Sequence, residues 1–297
     1  MGVMLSRRPH AVAQQGEVSA AFEWCQRFTR AHQENFSVVS WFLPRELRPH
    51  FYSLYSFCRM TDDLGDEAPG DRIAQLDAWD ADLRACYDGQ RSTQLFIALG
   101  DTIDRFDIPV ETFLDLIEAN RMDQYLNRFA TYQELLSYCA RSATPVGRMV
   151  LHVLGYRDER RQRLADATCT GLQLANFWQD VAVDWEKGRV YLPQEDLKRF
   201  GVDESAIANR TASPEFRDLL RFEVDRARAL FQEGRTLESL VDRRARLDVR
   251  LFRLGGEAAL GAIERAGYDV LTARPAVSKR RKAWLALTNG ARLKTGI

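Results

Sequence analysis

The sequence predicts an all-α bundle, folded as a single domain around a central apolar cavity, and three observations carry that prediction. Apolar residues recur at helical spacing along most of the 297 residues. Helix breakers are few: 18 Gly and 9 Pro are about 9% of the chain, against a usual ~12%. No stretch of useful length alternates apolar and polar residues as a half-buried strand does. Apolar residues make up 45% and charged residues 28%, which allows a sizeable core and argues against global disorder.

A short polar segment, about residues 1–17, opens the chain and is expected to be flexible. Met1-Gly2 with Ser6 fits an N-myristoylation pattern, but a pattern so short arises often by chance. Punctuation at Pro44, Pro69-Gly70, Asp107-Ile108-Pro109, Pro145, Gly188, Pro193, Gly201, Gly255-Gly256 and Pro275 divides the rest into ten to twelve helices. Val110, Phe113, Leu114, Ile117, Arg121, Met122, Tyr125 and Leu126 keep one helical stripe. A longer stripe runs from Phe216 through Leu219, Leu220, Val224, Ala227, Leu230, Phe231 and Leu237 to Val241. Ser213-Pro214-Glu215 supplies its start: a capping hydroxyl, Pro at the first position and an acid in the first turn.

After Asp269 no acidic residue follows, while Arg274, Lys279, Arg280, Arg281, Lys282, Arg292 and Lys294 do. That basic tail, about residues 278–297, contains Ala283-Trp284-Leu285-Ala286-Leu287 and is read as a final helix docked on the core. Peripheral contact with anionic lipid is the alternative.

Composition excludes several classes. Forty-two basic and 42 acidic residues give zero formal charge, and a pI near 6.9 is unlike that of a dedicated nucleic-acid binder. Cys25, Cys58, Cys86, Cys139 and Cys169 are odd in number and far apart, without CxxC. A disulfide framework and a zinc ribbon are therefore unsupported, and a reducing cytoplasm is expected. No segment reaches the roughly 18 apolar residues of a membrane span.

Two segments carry the chemistry. At ~100° per residue, Tyr55, Arg59, Asp62 and Asp66 lie within about 60° of one another on a helix. Gln173, Asn176, Asp180 and Asp184 share a comparably narrow face. Gly171, Leu172, Leu174, Ala175, Phe177, Trp178, Val181, Ala182 and Val183 cover most other directions of the second helix, with Gln179 the exception. A helix apolar nearly all round is buried, so its polar stripe points inward too. Unpaired buried carboxylates cost several kcal/mol each, so the stripe needs a cation, a partner or a wet cavity.

Asp-x-x-x-Asp pairs of hard oxygen ligands suit Mg²⁺, which keeps waters and bridges carboxylates to substrate phosphates. Two facing stripes would hold two or three such ions around a diphosphate. Arg59, Lys187 and Arg189 would add direct phosphate contacts. The implied chemistry is ionisation of an apolar diphosphate ester in a dry chamber, with Tyr55, Phe36 and Tyr191 as aromatic faces for the cation. One such motif alone is more often a solvated helix face; the matched pair reverses that weighting.

These residues resemble the squalene and phytoene synthase family, the head-to-head prenyl transferases, over roughly Phe22 to Arg281. Phe57-Cys58-Arg59 leading into Asp62-Asp63-Leu64-Gly65-Asp66 looks like the family's first Asp-rich motif. Gln173 through Asp184, then Gly188-Arg189-Val190-Tyr191-Leu192-Pro193, looks like the second motif and the flap after it. Asn35-Phe36 before Pro44 matches the first substrate helix. The resemblance implies the isoprenoid-synthase fold, prenyl diphosphate substrates, and Mg²⁺ ligation by Asp62, Asp66, Asn176, Asp180 and Asp184. Beside it, the residues themselves suggest catalytic roles for Tyr55, Arg59, Arg141 and Tyr191, and substrate contacts from Asn35, Phe36, Tyr138, Gln173, Lys187 and Arg189.

One departure narrows the expectation. Where the family usually reads Tyr-Cys-x-Tyr-Val-Ala-Gly-x-Val-Gly, this chain has Tyr138-Cys139-Ala140-Arg141-Ser142-Ala143-Thr144-Pro145-Val146-Gly147. That pattern is similar to the bacterial hydroxysqualene synthase subgroup, which takes presqualene diphosphate and water to hydroxysqualene and diphosphate. Partner enzymes make its cyclopropyl substrate and reduce its alcohol. Arg141 is either a cation for the leaving diphosphate or one half of a structural ion pair. Ser142 or Thr144 is placed to orient a water, and neither a Gly-x-Gly-x-x-Gly nor a Walker loop is present, so no NADPH is expected. Condensation of two prenyl diphosphates is the alternative activity, and a non-enzymatic scaffold of the same fold ranks below it. Cys58, Cys139, Phe177 and Trp178 are read as packing residues and His32 as an ordinary helix-face histidine.

Overall fold

The computed structural model describes residues 9–32 and 43–278. Asn35, Phe36, the Met1–Ser6 pattern and the tail from Lys279 onward lie outside the described residues.

Thirteen helices are present among the described residues, with no strand beyond a single bridge between Arg128 and Val190. The first five are α1 (Pro9–His32), α2 (Arg48–Asp66), α3 (Arg72–Tyr87), α4 (Gln94–Phe106) and α5 (Val110–Met122). They close on a core built from Phe51, Phe57, Leu83, Phe96 and Phe113. Then come α6 (Tyr132–Ser142), α7 (Thr144–Val153) and the 28-residue α8 (Glu159–Glu186). These are followed by α9 (Gln194–Phe200), α10 (Glu204–Ala208), α11 (Pro214–Gly234), α12 (Leu237–Leu240) and α13 (Arg243–Arg265). A second core, around Trp178, Leu174, Phe216, Leu220 and Phe231, joins α6, α8, α11 and α13.

Helix ends follow local chemistry. Asp71, Thr93, Thr131, Asp158 and Ser213 each accept a backbone N–H with the side chain at a helix start, the arrangement that satisfies otherwise orphaned donors. Three sequence expectations need correction. Gly255-Gly256 does not break a helix but lies buried within α13, because a Cβ at Gly256 would meet the Phe231 ring at 2.2 Å; the glycines allow close approach. The stripe from Phe216 to Val241 is two helices, since the chain turns after Gly234 and directs Leu237 and Val241 into a separate cluster with Leu151, Ala165 and Ala245. The α5 stripe stops at Met122, leaving Tyr125 69% exposed in the following turn.

The layout positions the site. Helix α5 packs on both α2 and α6, and α6 packs on α8, so α2 and α8 flank a gap walled by α5 and α6. Among the described residues no helix is long and apolar enough to cross a membrane.

Candidate active site

Helix α2 is fixed in roll by its buried side. Thr61 donates its hydroxyl to the Phe57 carbonyl and accepts the Trp79 indole N–H at 2.9 Å, anchoring α2 to α3. Gly65, also buried, lets α5 come close: a Cβ there would lie 2.2 Å from Asn120 Oδ1. That approach lets Asn120 Nδ2 donate to Asp62 Oδ1 at 3.3 Å, while Gln124 Nε2 donates to the Gly65 carbonyl at 2.9 Å.

Helix α8 buries Leu174, Ala175, Phe177, Trp178 and Val181. Gln179 is buried as well, donating to the Pro275 carbonyl at 2.6 Å, whereas Val183 is 42% exposed. The helix ends in a tight reversal: Arg189 N–H donates to the Asp184 carbonyl and Gly188 N–H to that of Trp185, with Gly188 at φ +78°. This turns Lys187 and Arg189 back across the gap onto α2. Arg189 Nη2 lies 2.9 Å from Asp66 Oδ1 and Lys187 Nζ 3.7 Å from Oδ2.

The two stripes meet at one cavity of about 310 Å³. Asp62, Asp66 and Arg59 line it from α2, and Gln173, Asn176, Asp180 and Asp184 from α8. Lys187, Arg189 and Tyr191 line it from the turn after α8, and Tyr138 and Ser142 from α6. Asn176, Gln179, Asp180 and Arg274 border a second cavity of about 460 Å³ whose remaining walls are Leu172, Ala175, Phe252, Gly255, Gly256, Ala259, Ala276 and Val277. A carboxylate-rich chamber thus adjoins one that is apolar except along the edge they share.

Asp62 lines the chamber with part of its surface open to solvent, while surrounding protein atoms crowd its carboxyl. Burial, with Asp66 and Asp123 adding to it, pushes its carboxyl up to about 7 against the Asn120 hydrogen bond and Arg59. Burial and the neighbouring Asp180 do the same to Asp184, also to about 7, against Lys187 and Arg189. Arg59 is shared with Asp63 at 2.7 Å and Glu67 at 3.3 Å. Arg274, from the segment after α13, forks onto Asp180.

Oxygen-only donors gathered at one cavity are the chemistry of a hard divalent cation such as Mg²⁺. Among the described residues no three acidic, histidine or cysteine side chains converge on a single point. One or two carboxylates per ion, with water and phosphate completing the shell, is the arrangement Mg²⁺ prefers. The donor set therefore fits that ion together with a phosphate-bearing ligand.

Two residues expected at the site stand elsewhere. Arg141 does not line the cavity; it is 48% exposed and its Nη1 lies 3.1 Å from Asp115 Oδ1. The reason is the roll of α6: Tyr138 and Ser142, one turn apart, face the chamber, and Arg141 projects about 80° away from their mean direction. Tyr55 Oη donates to the His32 carbonyl at 3.0 Å, tying α2 to the end of α1, and lines neither cavity. The Thr144 hydroxyl is engaged by the Ala140 carbonyl. Phe177, read as packing, lines the chamber and stacks on Tyr191 with ring centroids 3.7 Å apart.

The sequence reading missed Asn120, Asp123 and the Arg274 pairing. Asn120 and Asp123 are single polar residues at the end of α5, without the doubled spacing that marked the other aspartates. Tyr138 Oη donates to Asp123 Oδ2 at 3.0 Å.

Comparison with known proteins gives concordant results. The family model described as squalene/phytoene synthase matches residues 29–281. The solved structure of the squalene synthase HpnC from Alicyclobacillus acidocaldarius is 53% identical, with a TM-score of 0.82, over 85% of this chain and 96% of that one. A dehydrosqualene synthase solved with a ligand superposes with a TM-score of 0.87 at 25% identity, over 95% and 99% of the two chains. The 15-cis-phytoene synthase of a Synechocystis species is 33% identical over 288 residues, covering 90% of this chain and 86% of its own.

Proposed function

The chain belongs to the squalene/phytoene synthase family, and from that premise we propose that it is a hydroxysqualene synthase. On this reading it converts presqualene diphosphate and water to hydroxysqualene and diphosphate, without a nicotinamide. The observation that carries the reading is the pair of carboxylate stripes lining one cavity, which shares Asn176 and Asp180 with a second, mostly apolar one. The 53% identity to the HpnC squalene synthase supports the C30 assignment.

Asp62 and Asp66 on one side, with Asn176, Asp180 and Asp184 on the other, would hold Mg²⁺. When bound, the ion supplies positive charge that neutralises the leaving diphosphate. Lys187 and Arg189 line the same cavity and add fixed charge there, and Gln173 offers an amide to the diphosphate oxygens. The Phe177 and Tyr191 rings border the chamber, and their mutual stacking fixes them as a rigid aromatic wall beside the developing carbocation. The apolar walls of the adjoining cavity would accept the hydrocarbon.

Condensation of two prenyl diphosphates is the second reading, favoured by relatives named 15-cis-phytoene synthase at 31–33% identity. Product analysis separates the two. The purified chain is incubated with Mg²⁺ and either presqualene diphosphate or farnesyl diphosphate, with and without NADPH. The proposal expects an alcohol from the first substrate alone, unaffected by NADPH. A cyclopropyl diphosphate or a hydrocarbon from farnesyl diphosphate supports the second reading instead.

A further inference from the structure

We infer that Asp123 is the base that receives the proton of the captured water, with Tyr138 holding its carboxylate and Ser142 offering the water a second anchor. The inference rests on the hydroxysqualene synthase reading and deepens it. Asp123 lines the chamber from the end of α5, beside Asp62 and Asp66. Its Oδ2 is taken by the Tyr138 phenol at 3.0 Å. Its Oδ1 is buried with no hydrogen-bond partner, and so is the Ser142 hydroxyl, which lines the same chamber. Orphaned buried acceptors are rare in folded proteins and cost about 1–3 kcal/mol each. Two at one cavity suit a small polar ligand that bonds both.

Tyr138 and Ser142 are one turn apart on α6, so the group orienting the carboxylate and the second anchor share one face. The Tyr138 phenol stays protonated, since burial, Tyr191 and Asp123 all push it well above its ordinary range, and it therefore serves as a donor. Burial holds the Asp123 carboxyl near 6 against Arg189 and the Tyr138 hydrogen bond, a more basic carboxylate than one in open solvent.

The step balances without an oxidant or reductant. The carbon–oxygen bond to diphosphate breaks with its electron pair leaving on diphosphate, and the carbon skeleton rearranges as a cation. A water lone pair forms the new carbon–oxygen bond. One water proton passes to Asp123 Oδ1 and from there to the departing diphosphate or solvent.

The test uses presqualene diphosphate and Mg²⁺ in ¹⁸O-water, measuring alcohol formed per diphosphate released. Wild type is expected to give close to one labelled alcohol per diphosphate. Asp123→Asn is expected to lower that ratio at least tenfold, with the remaining cation leaving as C30 hydrocarbon by proton loss. Tyr138→Phe is expected to lower it several-fold, and Asp123→Glu to recover part of it. Circular dichroism and a thermal melt establish that each variant is folded; should Asp123→Asn not fold, Ser142→Ala reads the same ratio and is expected to lower it about threefold. Wild-type ratios in the folded variants, with only the total rate reduced, would overturn the role of Asp123. Failure of the wild type to form any alcohol overturns the underlying reaction itself, and so is distinguishable.

Discussion

Arg274 lays its guanidinium across both carboxylate oxygens of Asp180, with Nη2 2.9 Å from Oδ2, so a residue 94 positions along the chain neutralises the middle of the α8 stripe. The same segment is held by Gln179 through the Pro275 carbonyl, one residue further on. A divalent ion at Asp180 must therefore compete with a fixed internal cation.

Replacing that cation is expected to tighten metal binding. A charge-assisted hydrogen bond contributes about 1.5–3 kcal/mol. The partners are 40% and 24% exposed, and screening reduces this to roughly 0.7–1.4 kcal/mol. Arg274→Gln is expected to raise Mg²⁺ or Mn²⁺ affinity about three- to tenfold in calorimetry without diphosphate. Unchanged or weaker affinity would show that the pair does not oppose the metal.

Asp62→Asn is expected to reduce turnover by at least about a thousandfold and yet to stabilise the metal-free fold. The folded Asp62 carboxyl, near 7, lies above its ordinary value of 3.8. Its favourable contribution is thus fully present below about pH 4 and lost as pH rises through 7. Near pH 8 without metal, the variant is expected to melt slightly above wild type, solvent screening at this exposed residue keeping the gain small, with the gap closing toward pH 4. Mg²⁺ is expected to raise the wild-type melting temperature more than that of the variant. A lower melting temperature for Asp62→Asn at pH 8 would contradict the crowding of the stripe.

Away from the chamber, Glu223 on α11 is fully buried, with Arg226 Nη1 3.3 Å from Oε1 and no partner on Oε2. Burial pushes its carboxyl up to about 8, Arg226 opposing and Asp196 adding. Its folded value exceeds its unfolded one, so its contribution to stability is present below about 4.5 and fades as pH rises through 8. Glu223→Gln is expected to flatten the melting profile between about pH 5 and 9, gaining on wild type at the alkaline end. Arg226 retains Asp196 Oδ2 at 2.6 Å in that variant. Parallel pH profiles for the two proteins would refute this.

Gly65→Ala tests the approach of α5 to α2. Helix propensity alone favours Ala by about 1 kcal/mol. The new Cβ would lie 2.2 Å from Asn120 Oδ1 and 2.9 Å from its Cγ, and overpacking of this kind costs about 1–3 kcal/mol. The steric term is expected to win by up to ~2 kcal/mol in denaturant unfolding, with weaker metal binding because Asn120 moves off Asp62. A stabilised variant with unchanged metal affinity would show that Asn120 relaxes freely.

Particular residues show what the sequence could and could not carry. The inward face of α8 was legible because its other sides are apolar, which leaves Gln173, Asn176, Asp180 and Asp184 only one direction. The α2 stripe was legible as a spacing repeated in a second segment. Rotation of α6 was not: Arg141 and Ser142 are adjacent, and only packing against α5 and α8 turns the serine inward and leaves the arginine with Asp115. Asp123 and Arg274 reach the site through tertiary folding alone, from a helix end and from a distant connection. Gly255-Gly256 misled because a glycine that ends a helix and one that admits a neighbouring ring look alike in sequence.

The most direct test of the ionisation chamber is a crystal structure with Mg²⁺ and a thio-analogue of presqualene diphosphate that cannot ionise. The account predicts metal ions at ~2.0–2.1 Å from oxygens of Asp62 or Asp66 and of Asn176, Asp180 or Asp184, bridged by the diphosphate. It also predicts the hydrocarbon in the cavity walled by Leu172, Phe252 and Gly256. A diphosphate seated away from both stripes, or bound without any metal between them, would contradict it.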